Sequence, residues 1–491
     1  MTEATPAPRT ILRPGAVITQ PEWPVDREIR SVHVVRIGGA GMSAVARLAL
    51  EAGLTVSGSD SQDGQFIAPL RAAGARIGIG FDAALLDADL DLVIVSTAVR
   101  GDNPEVLAAR ERGIPVIHRA AALAGLLVSR TQIAIAGTHG KTSTTGLTAM
   151  ALRGAGEDPA WALGAAVPDL GRNAGLGTGD LAVIEADESD GSFLAFRPQV
   201  LVVTNLEPDH LDFHGDAETL TAAFDALTGR LAPGGSLVVC ADDPGSRALG
   251  ERAAARGIRV TRYGTAADSA WRIRSENASA AGTRLEIDSP DGGQVRLTLQ
   301  VAGHHNALNA VGALAGAALA APDTPVTALA EGLGTFTGAS RRFDLAGEAA
   351  GVQVIDDYAH HPREVAAAVA AARGIVGERG GRGRVLVAFQ PHLFSRTRSF
   401  AAEFAQALTA ADLVWVLPVY AAREDPVPAV DATTITAHAP ALQPLTAASA
   451  LPGLVAAEAR GGDLLLMLGA GDIVELTPEV LAALAPVAGR R

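Results

Sequence analysis

Short apolar runs recur along this chain, each closed by glycine or a polar residue, and the stretches between them carry helical spacing. The first run, Val32–Ile37, leads through Gly38-Gly39-Ala40-Gly41 into a helix-like segment ending near Ala52, then into a strand that closes on Asp60. Leu92–Ser96 and Ile114–Ile117 continue the alternation. A second unit opens at Gln132–Ala136 and includes Ala182–Glu185, Val200–Thr204 and a long Ala-rich helix after Gly303. A third begins near Thr335, with strand-like runs at Val352–Ile355, Arg384–Phe389, Leu413–Leu417 and Leu464–Leu468. Apolar runs of this length alternating with helices predict an α/β fold, its parallel sheets covered on both faces.

Composition sharpens this picture. At 491 residues, 48% hydrophobic and 19% charged, the chain has material for about three domains. Residues 1–30 hold five prolines and little periodicity, which reads as a loose arm, and Gly377–Gly383 reads as a loop. A net charge of -14 argues against nucleic acid as the main partner. Cys240 is the sole cysteine, so neither an internal disulfide nor a thiolate zinc site is expected, and core packing is its expected role. With no signal-peptide pattern and no apolar run near membrane length, a cytoplasmic protein without membrane association is expected.

One lysine is present among the cations, and it sits in Gly137-Thr138-His139-Gly140-Lys141-Thr142-Ser143. An apolar strand precedes it and a helix-compatible stretch follows. That is the layout of a phosphate-binding loop: backbone amides and a helix N-terminus face the anion, the ammonium meets the outer phosphates, and the hydroxyl takes a divalent cation. Ile135 stands where the full phosphate-loop pattern has glycine, and a plain glycine turn is the weaker alternative. The run Glu185-Ala186-Asp187-Glu188-Ser189-Asp190 follows a strand. It reads by default as a solvated acidic loop, but Glu185 stands at the strand end, where it could hold Mg²⁺ against Thr142. His210 also follows a strand end, in Asp209-His210, and is a candidate for metal or phosphate.

The Gly38–Gly41 loop is similar to a dinucleotide fingerprint, with Asp60 at ribose-reading distance and Arg36 in place of the first glycine. A nucleotide-diphosphate site and a tight strand–helix turn are the two readings. Of 11 histidines, eight lie in short polar motifs: His139, His210, His214, His304, His305, His360, His361 and His392. Asn306 and Asn309 share a helix face, suited to reading an adenine edge or to simple capping. In the third unit, Arg341-Arg342 and Asp356–Pro362 gather cations and an aromatic near a loop, and Phe389–His392 leads to Arg396 and Arg398, natural carboxylate clamps with surface salt bridging as the alternative.

Together these stretches resemble the Mur ligase family, from Gly38–Ser43 through the lysine loop, Glu185–Leu194 and Thr204–His210 to His305-Asn306, Arg341–Asp344, Asp356–Glu364, Phe389–His392 and Gly469–Asp472. The resemblance implies three α/β domains: a Rossmann-like domain for a UDP-sugar over 1–128, a central ATP-binding sheet of the phosphate-loop ATPase kind over 129–334, and a Rossmann-like amino-acid domain over 335–491. It implies ATP-dependent joining of L-alanine to the lactyl carboxylate of UDP-N-acetylmuramate through an acyl phosphate, in peptidoglycan precursor synthesis. Lys141, Glu185, His210 and Arg342 would be catalytic, with one Mg²⁺ on Thr142 and Glu185 and a second on His210. ATP would be bound by the lysine loop, His305, Asn306 and Asn309. The sugar nucleotide would meet Gly38, Gly39, Gly41, Met42, Ser43, Asp60, Ser96 and Asn173. Tyr358, His392 and Arg396 would form the alanine pocket. Several sister ligases hold metal with a carbamylated lysine, for which this chain has none to spare. Leu393 stands where many relatives carry a second arginine. A monomer or homodimer is expected. Two alternatives are a ligase that recycles muropeptides and a nicotinamide-dependent dehydrogenase.

Overall fold

The computed structural model describes residues 18–485 apart from Pro21, Val25, Ala280, Ala281, Arg382 and Arg423. Residues 1–17, most of the expected N-terminal arm, therefore lie outside the described residues. The chain divides into two compact units, one through Thr337 and one from Gly338 onward.

The first unit holds two sheets. One comprises β1 (Ser31–Val35), β2 (Thr55–Asp60), β3 (Arg76–Ile79), β4 (Leu92–Val95) and β5 (Val116–His118) in the order β3-β2-β1-β4-β5, all parallel. Because β1 lies between β2 and β4, its neighbours follow in opposite directions, and a crevice opens at its carboxyl end. The Gly38–Gly41 turn lies there and starts the helix Ala40–Glu51. Arg36, in the place of the usual first glycine, takes the left-handed conformation with φ 60°. That geometry costs an L-residue roughly 1–2 kcal/mol. Its guanidinium lies over the Phe81 ring.

The second sheet runs β15-β14-β13-β12-β11-β10-β6-β9-β7-β8. Its members are β6 (Thr131–Ala136), β7 (Ala160–Val167), β8 (Arg172–Gly175), β9 (Leu181–Glu185), β10 (Val200–Val203), β11 (Ser236–Cys240), β12 (Arg259–Gly264), β13 (Trp271–Ser279), β14 (Gly282–Asp288) and β15 (Gln294–Leu299). Strand β6 is flanked by β10 and β9, with Ala136 level with Val203 and Ile135 level with Glu185. The loops leaving these three strands are the lysine loop, the acidic loop and the Thr204–His210 segment, and all start at one edge of the sheet. The inner residues of β6, β9 and β10 are buried on both faces, as expected of central parallel strands. Cys240 ends β11, buried, as expected.

The second unit carries β16 (Asp344–Ala349), β17 (Val352–Asp357), β18 (Val385–Phe389), β19 (Leu413–Val416), β20 (Gln443–Pro444) and β21 (Leu464–Leu468), ordered β16-β17-β21-β18-β19-β20. Helices packed on both faces give two cores, one around Val365, Val387 and Phe404 and one around Trp415, Leu465 and Val480. The glycine patch expected as a loop begins later than read, because the helix Pro362–Glu378 continues through Gly377.

Candidate active site

The lysine loop is held in place by hydrogen bonds to its neighbours. Thr138 N donates to Asn205 O, and His139 N donates to Asn205 Oδ1 at 2.7 Å. The Thr204 hydroxyl and Asn205 Nδ2 both donate to His139 O. Gly140 then turns the chain at φ 81° into the helix Lys141–Gly154. The first bond within this helix is Thr144 N to Gly140 O, so the amides of Lys141 to Ser143 face out of its N-terminus. This is the anion-binding end of the helix dipole. The start of the helix His304–Ala320 lies over the same turn: a β-carbon at Gly140 would sit 2.6 Å from Asn309 Oδ1. Asn309 is buried there, Asn306 caps Ala302 O, and His305 is exposed in the same first turn.

Lys141 is held by its surroundings. Its Nζ donates to Gly137 O, Thr138 O and Glu188 Oε1, the last at 2.9 Å. Thr142 Oγ1 donates to Glu185 Oε1 at 3.0 Å, and the other Glu185 oxygen accepts from Gly164 N at 2.7 Å. The expected pair of Thr142 with a strand-end carboxylate is thus assembled. His210 stands at φ 52° with Nε2 3.7 Å from Glu188 Oε1 and 3.6 Å from Asp209 Oδ2. A strained backbone at such a point is a common mark of a functional position.

The acidic run is not a solvated loop. Glu188 is fully buried and Asp190 nearly so. Each carboxylate has its own partner: Glu185 takes Thr142, Asp187 takes Arg119 at 3.0 Å, Glu188 takes Lys141, and Asp190 accepts from Thr97 Oγ1 and faces His118 at 3.5 Å. Burial pushes Glu188 up to about 7, against the opposing pull of Lys141. Burial acts the same way on Asp187, but Arg119, Lys141 and His210 outweigh it and hold that carboxyl well below the usual range. Sequence reasoning missed Glu188, Asp187, Asp190, His118 and Arg119 as individual participants. The available signal was a run of four carboxylates at a strand end, which cannot be buried without cations.

At the first glycine loop, Gly38 N donates to Asp60 Oδ2 at 2.8 Å, and the other Asp60 oxygen accepts from Ser61 N. Asp60 therefore buttresses the loop. Asn173, on β8, donates to Ala40 O at 2.8 Å and to Ser43 Oγ at 3.0 Å, which ties the central sheet to this loop. Met42 and Ser43 are buried, so their side chains scaffold the turn, while Gly39 and Gly41 leave it open. Ser96 lies just past β4, where its carbonyl accepts from Val99 N.

In the second unit, Arg341 and Arg342 both lie over the Tyr358 ring, at 5.0 and 5.2 Å. Tyr358, His360, His392 and Tyr420 form a continuous series of ring contacts, with centroids 5.2 to 5.9 Å apart. Leu393 turns at φ 69° into the short helix Phe394–Ser399, where Arg396 is buried. Tyr358 and His392 are thus brought into one cluster, joined by His360 from the same polar motif and by Tyr420, which the sequence did not single out. Burial pushes Asp357 up to about 6 although Arg342 is near.

A glycine turn between a parallel strand and a helix, with its hydroxyl on a strand-end carboxylate and its lysine on a buried one, has the layout found in nucleotide-triphosphate-using α/β enzymes. The chain belongs to the Mur ligase family of ATP-dependent ligases. Residues 31–131 match the Mur ligase family catalytic domain, 135–317 the Mur ligase middle domain and 341–471 the Mur ligase glutamate ligase domain. Two relatives are the UDP-N-acetylmuramate–L-alanine ligases of Mycobacterium sp. (strain JLS), 48% identical over 95% of this chain and 98% of theirs, and of Kineococcus radiotolerans, 51% identical over 92% and 96%. Among solved structures, a UDP-N-acetylmuramate-alanine ligase of Thermotoga maritima aligns with TM-score 0.77 and 29% identity over 92% of this chain and 98% of that one. A murein peptide ligase of Psychrobacter arcticus shares the fold at TM-score 0.71 and 24% identity, over 94% of this chain and 100% of that one.

Proposed function

We propose that this protein joins L-alanine to the lactyl carboxylate of UDP-N-acetylmuramate at the expense of ATP, as a cytoplasmic step of peptidoglycan precursor synthesis. The observation that carries it is the end-to-end likeness to ligases of that activity, 48% identical over 95% of the chain. The arrangement around the lysine loop supports the same chemistry.

A carboxylate acylates amines poorly because its leaving group would be oxide. Transfer of the ATP γ-phosphate to it creates an acyl phosphate. The neutral amine then adds to the carbonyl, and the tetrahedral intermediate expels inorganic phosphate. Such a sequence needs positioning and neutralisation of charge more than a protein nucleophile. Lys141 and the amides of Lys141 to Ser143 receive the phosphates. The loop around Gly140, together with His305, Asn306 and Asn309, receives the adenosine. Gly38, Gly39, Gly41, Ser96 and Asn173 hold the sugar nucleotide, with Met42, Ser43 and Asp60 as scaffold. Tyr358, His392 and Arg396 hold the amino acid, and Arg342 contributes a cation.

Two divalent ions fit the donor set. Thr142 and Glu185 would hold one, and His210 the other. Among the described residues no three His, Cys, Asp or Glu side chains converge as a complete cage. Sites with so few protein ligands suit Mg²⁺, which ordinarily keeps several waters and is held by one or two carboxylates plus substrate phosphates. When bound, Mg²⁺ would neutralise the phosphoryl oxygens. No described helix is long and apolar enough to cross a membrane. We assign the domain limits as 1–128, 129–334 and 335–491, and a monomer or homodimer as the working species.

The test is phosphate release with L-alanine, glycine, L-serine and a muropeptide as acceptors. Preference for L-alanine is expected, and preference for the peptide would favour the recycling ligase. Oxygen-18 placed in the lactyl carboxylate should appear in the released phosphate. Its absence there would end the acyl-phosphate route. A nicotinamide-dependent dehydrogenase would leave Lys141, Glu185 and His210 without a task.

A further inference from the structure

We propose that Arg119 is a sugar-nucleotide-binding residue that also sets the acceptor acid in register with the phosphate site, an inference that rests on the function proposed above. Arg119 opens the helix Arg119–Leu126 directly after β5. Its Nη2 lies 3.0 Å from Asp187 Oδ2 and 3.9 Å from Asp190 Oδ2. The other edge of the guanidinium borders the first glycine loop. A β-carbon at Gly41 would lie 3.3 Å from Nη1 and 3.5 Å from Cδ. One planar fork therefore spans the gap between the sugar-nucleotide loop and the acidic loop, whose next residue, Glu188, holds Lys141.

The mount of this fork is rigid. His118, fully buried, accepts from Ala120 N through Nδ1 and turns Nε2 toward Asp190. The backbone from which Arg119 departs is thereby fixed. The Arg119 side chain is 18% exposed, so part of it faces open space while its charge is only weakly screened. An anion resting on the N-terminus of the helix Ala40–Glu51 would meet that helix's first amides and the Nη1 edge together, while Nη2 stays on Asp187. A side chain at position 41 would crowd the guanidinium, which would have to give by a few tenths of an ångström. The ligand chemistry is an anionic oxygen of the sugar nucleotide, supplied either by its diphosphate or by its lactyl carboxylate. Held against Arg119, the acid would be anchored to the same loop that carries Glu185 and Glu188.

The experiment is calorimetric titration of the full chain with UDP-N-acetylmuramate, UDP-N-acetylglucosamine and a non-hydrolysable ATP analogue, with kcat read separately from phosphate release in the presence of ATP and L-alanine. The variants are Arg119→Ala, Arg119→Lys and Asp187→Asn. Arg119→Ala should weaken UDP-N-acetylmuramate about tenfold or more, the usual cost of a lost charged hydrogen bond. The ATP analogue alone should bind within about twofold of wild type, which also reports an intact fold. Equal loss toward both sugar nucleotides assigns the contact to the diphosphate, and loss confined to the acid-bearing one assigns it to the carboxylate. Arg119→Lys keeps the cation without the fork, so it should recover part of the affinity but not kcat. Asp187→Asn should spare the affinity and lower kcat. Wild-type binding of UDP-N-acetylmuramate by Arg119→Ala and Arg119→Lys would overturn the proposal, as would a parallel loss of the ATP analogue. A wild-type protein that does not bind UDP-N-acetylmuramate would instead overturn the proposed function, and this inference with it.

Discussion

Lys141 Nζ and Glu188 Oε1 meet at 2.9 Å beneath the lysine loop, and both groups are largely removed from water. The ammonium proposed to meet the nucleotide also donates to an internal anion and to two loop carbonyls. Phosphate binding must therefore compete with a contact already made.

Glu188→Gln removes that competitor. Breaking one side of a buried pair costs about 3 kcal/mol or more. A lowered urea midpoint is expected in the absence of ligand. A phosphate chain would then take over the ammonium, so the rise in melting temperature on adding an ATP analogue should exceed that of wild type. Equal shifts in the two proteins would show that the pair does not oppose binding.

Lys141→Ala should keep the fold, because Glu188 can take up a proton near neutrality once its partner is gone. Phosphate release should fall by about a thousandfold, the scale for losing one preorganised donor to developing charge. Circular dichroism and a phosphate assay on the same sample separate the two effects.

Gly140→Ala places a side chain at φ 81° and a methyl 2.6 Å from Asn309 Oδ1. The left-handed conformation alone costs roughly 1–2 kcal/mol. Displacing Asn309 would also disturb the helix start that covers the loop. Weaker ATP-analogue binding, by about tenfold, is expected in a titration, with sugar-nucleotide affinity unchanged.

His118 gives a pH signature. Burial is the main reason its pKa drops from 6.5 to about 4, with Asp190 opposing and Arg119 assisting. The folded state keeps the ring neutral while the unfolded chain protonates near 6.5. This contribution to stability is complete above about pH 6.5 and is lost as pH falls toward 4, by about 1.4 kcal/mol per unit within that window. Urea midpoints of wild type and His118→Gln at pH 7.5, 6 and 5 should converge as the solution becomes more acidic.

Glu185→Gln keeps an acceptor for Thr142 and removes the charge. Mn²⁺ binding measured by electron paramagnetic resonance in the presence of ADP should weaken by about tenfold or more, since a hard cation relies on carboxylate charge. Unchanged Mn²⁺ affinity would detach Glu185 from the metal.

Much of the architecture was readable in advance because the central parallel strands are continuous apolar runs. Val200–Val203 and Leu464–Leu468 have no polar residue to confuse their period. The antiparallel extension β13–β15 was not read, although Gln294–Leu299 alternates cleanly between exposed and buried positions. Its arginines and glutamates face water, and charged residues lower strand propensity when each run is judged alone. At the site, Lys141, Thr142 and Glu185 were legible because each stands beside a strand end or helix start in the sequence itself. Glu188 and Arg119 were not, since their roles arise from contacts across 47 and 68 positions of chain and from burial that local pattern does not encode. The left-handed turn at Arg36 lies in the same category, because arginine carries no local signal for it.

A chain with a single ε-amine has one address for amine-directed chemistry besides its own α-amino group. An acyl donor that modifies lysines, in a cell or in a labelling reagent, can reach this protein's side chains only at the phosphate loop. There the nitrogen is paired and protonated, so the reaction is slow until something draws Glu188 away. The same economy of lysine that exposes the enzyme to inactivation at one point also makes that point a clean reporter of whether the loop is empty or filled.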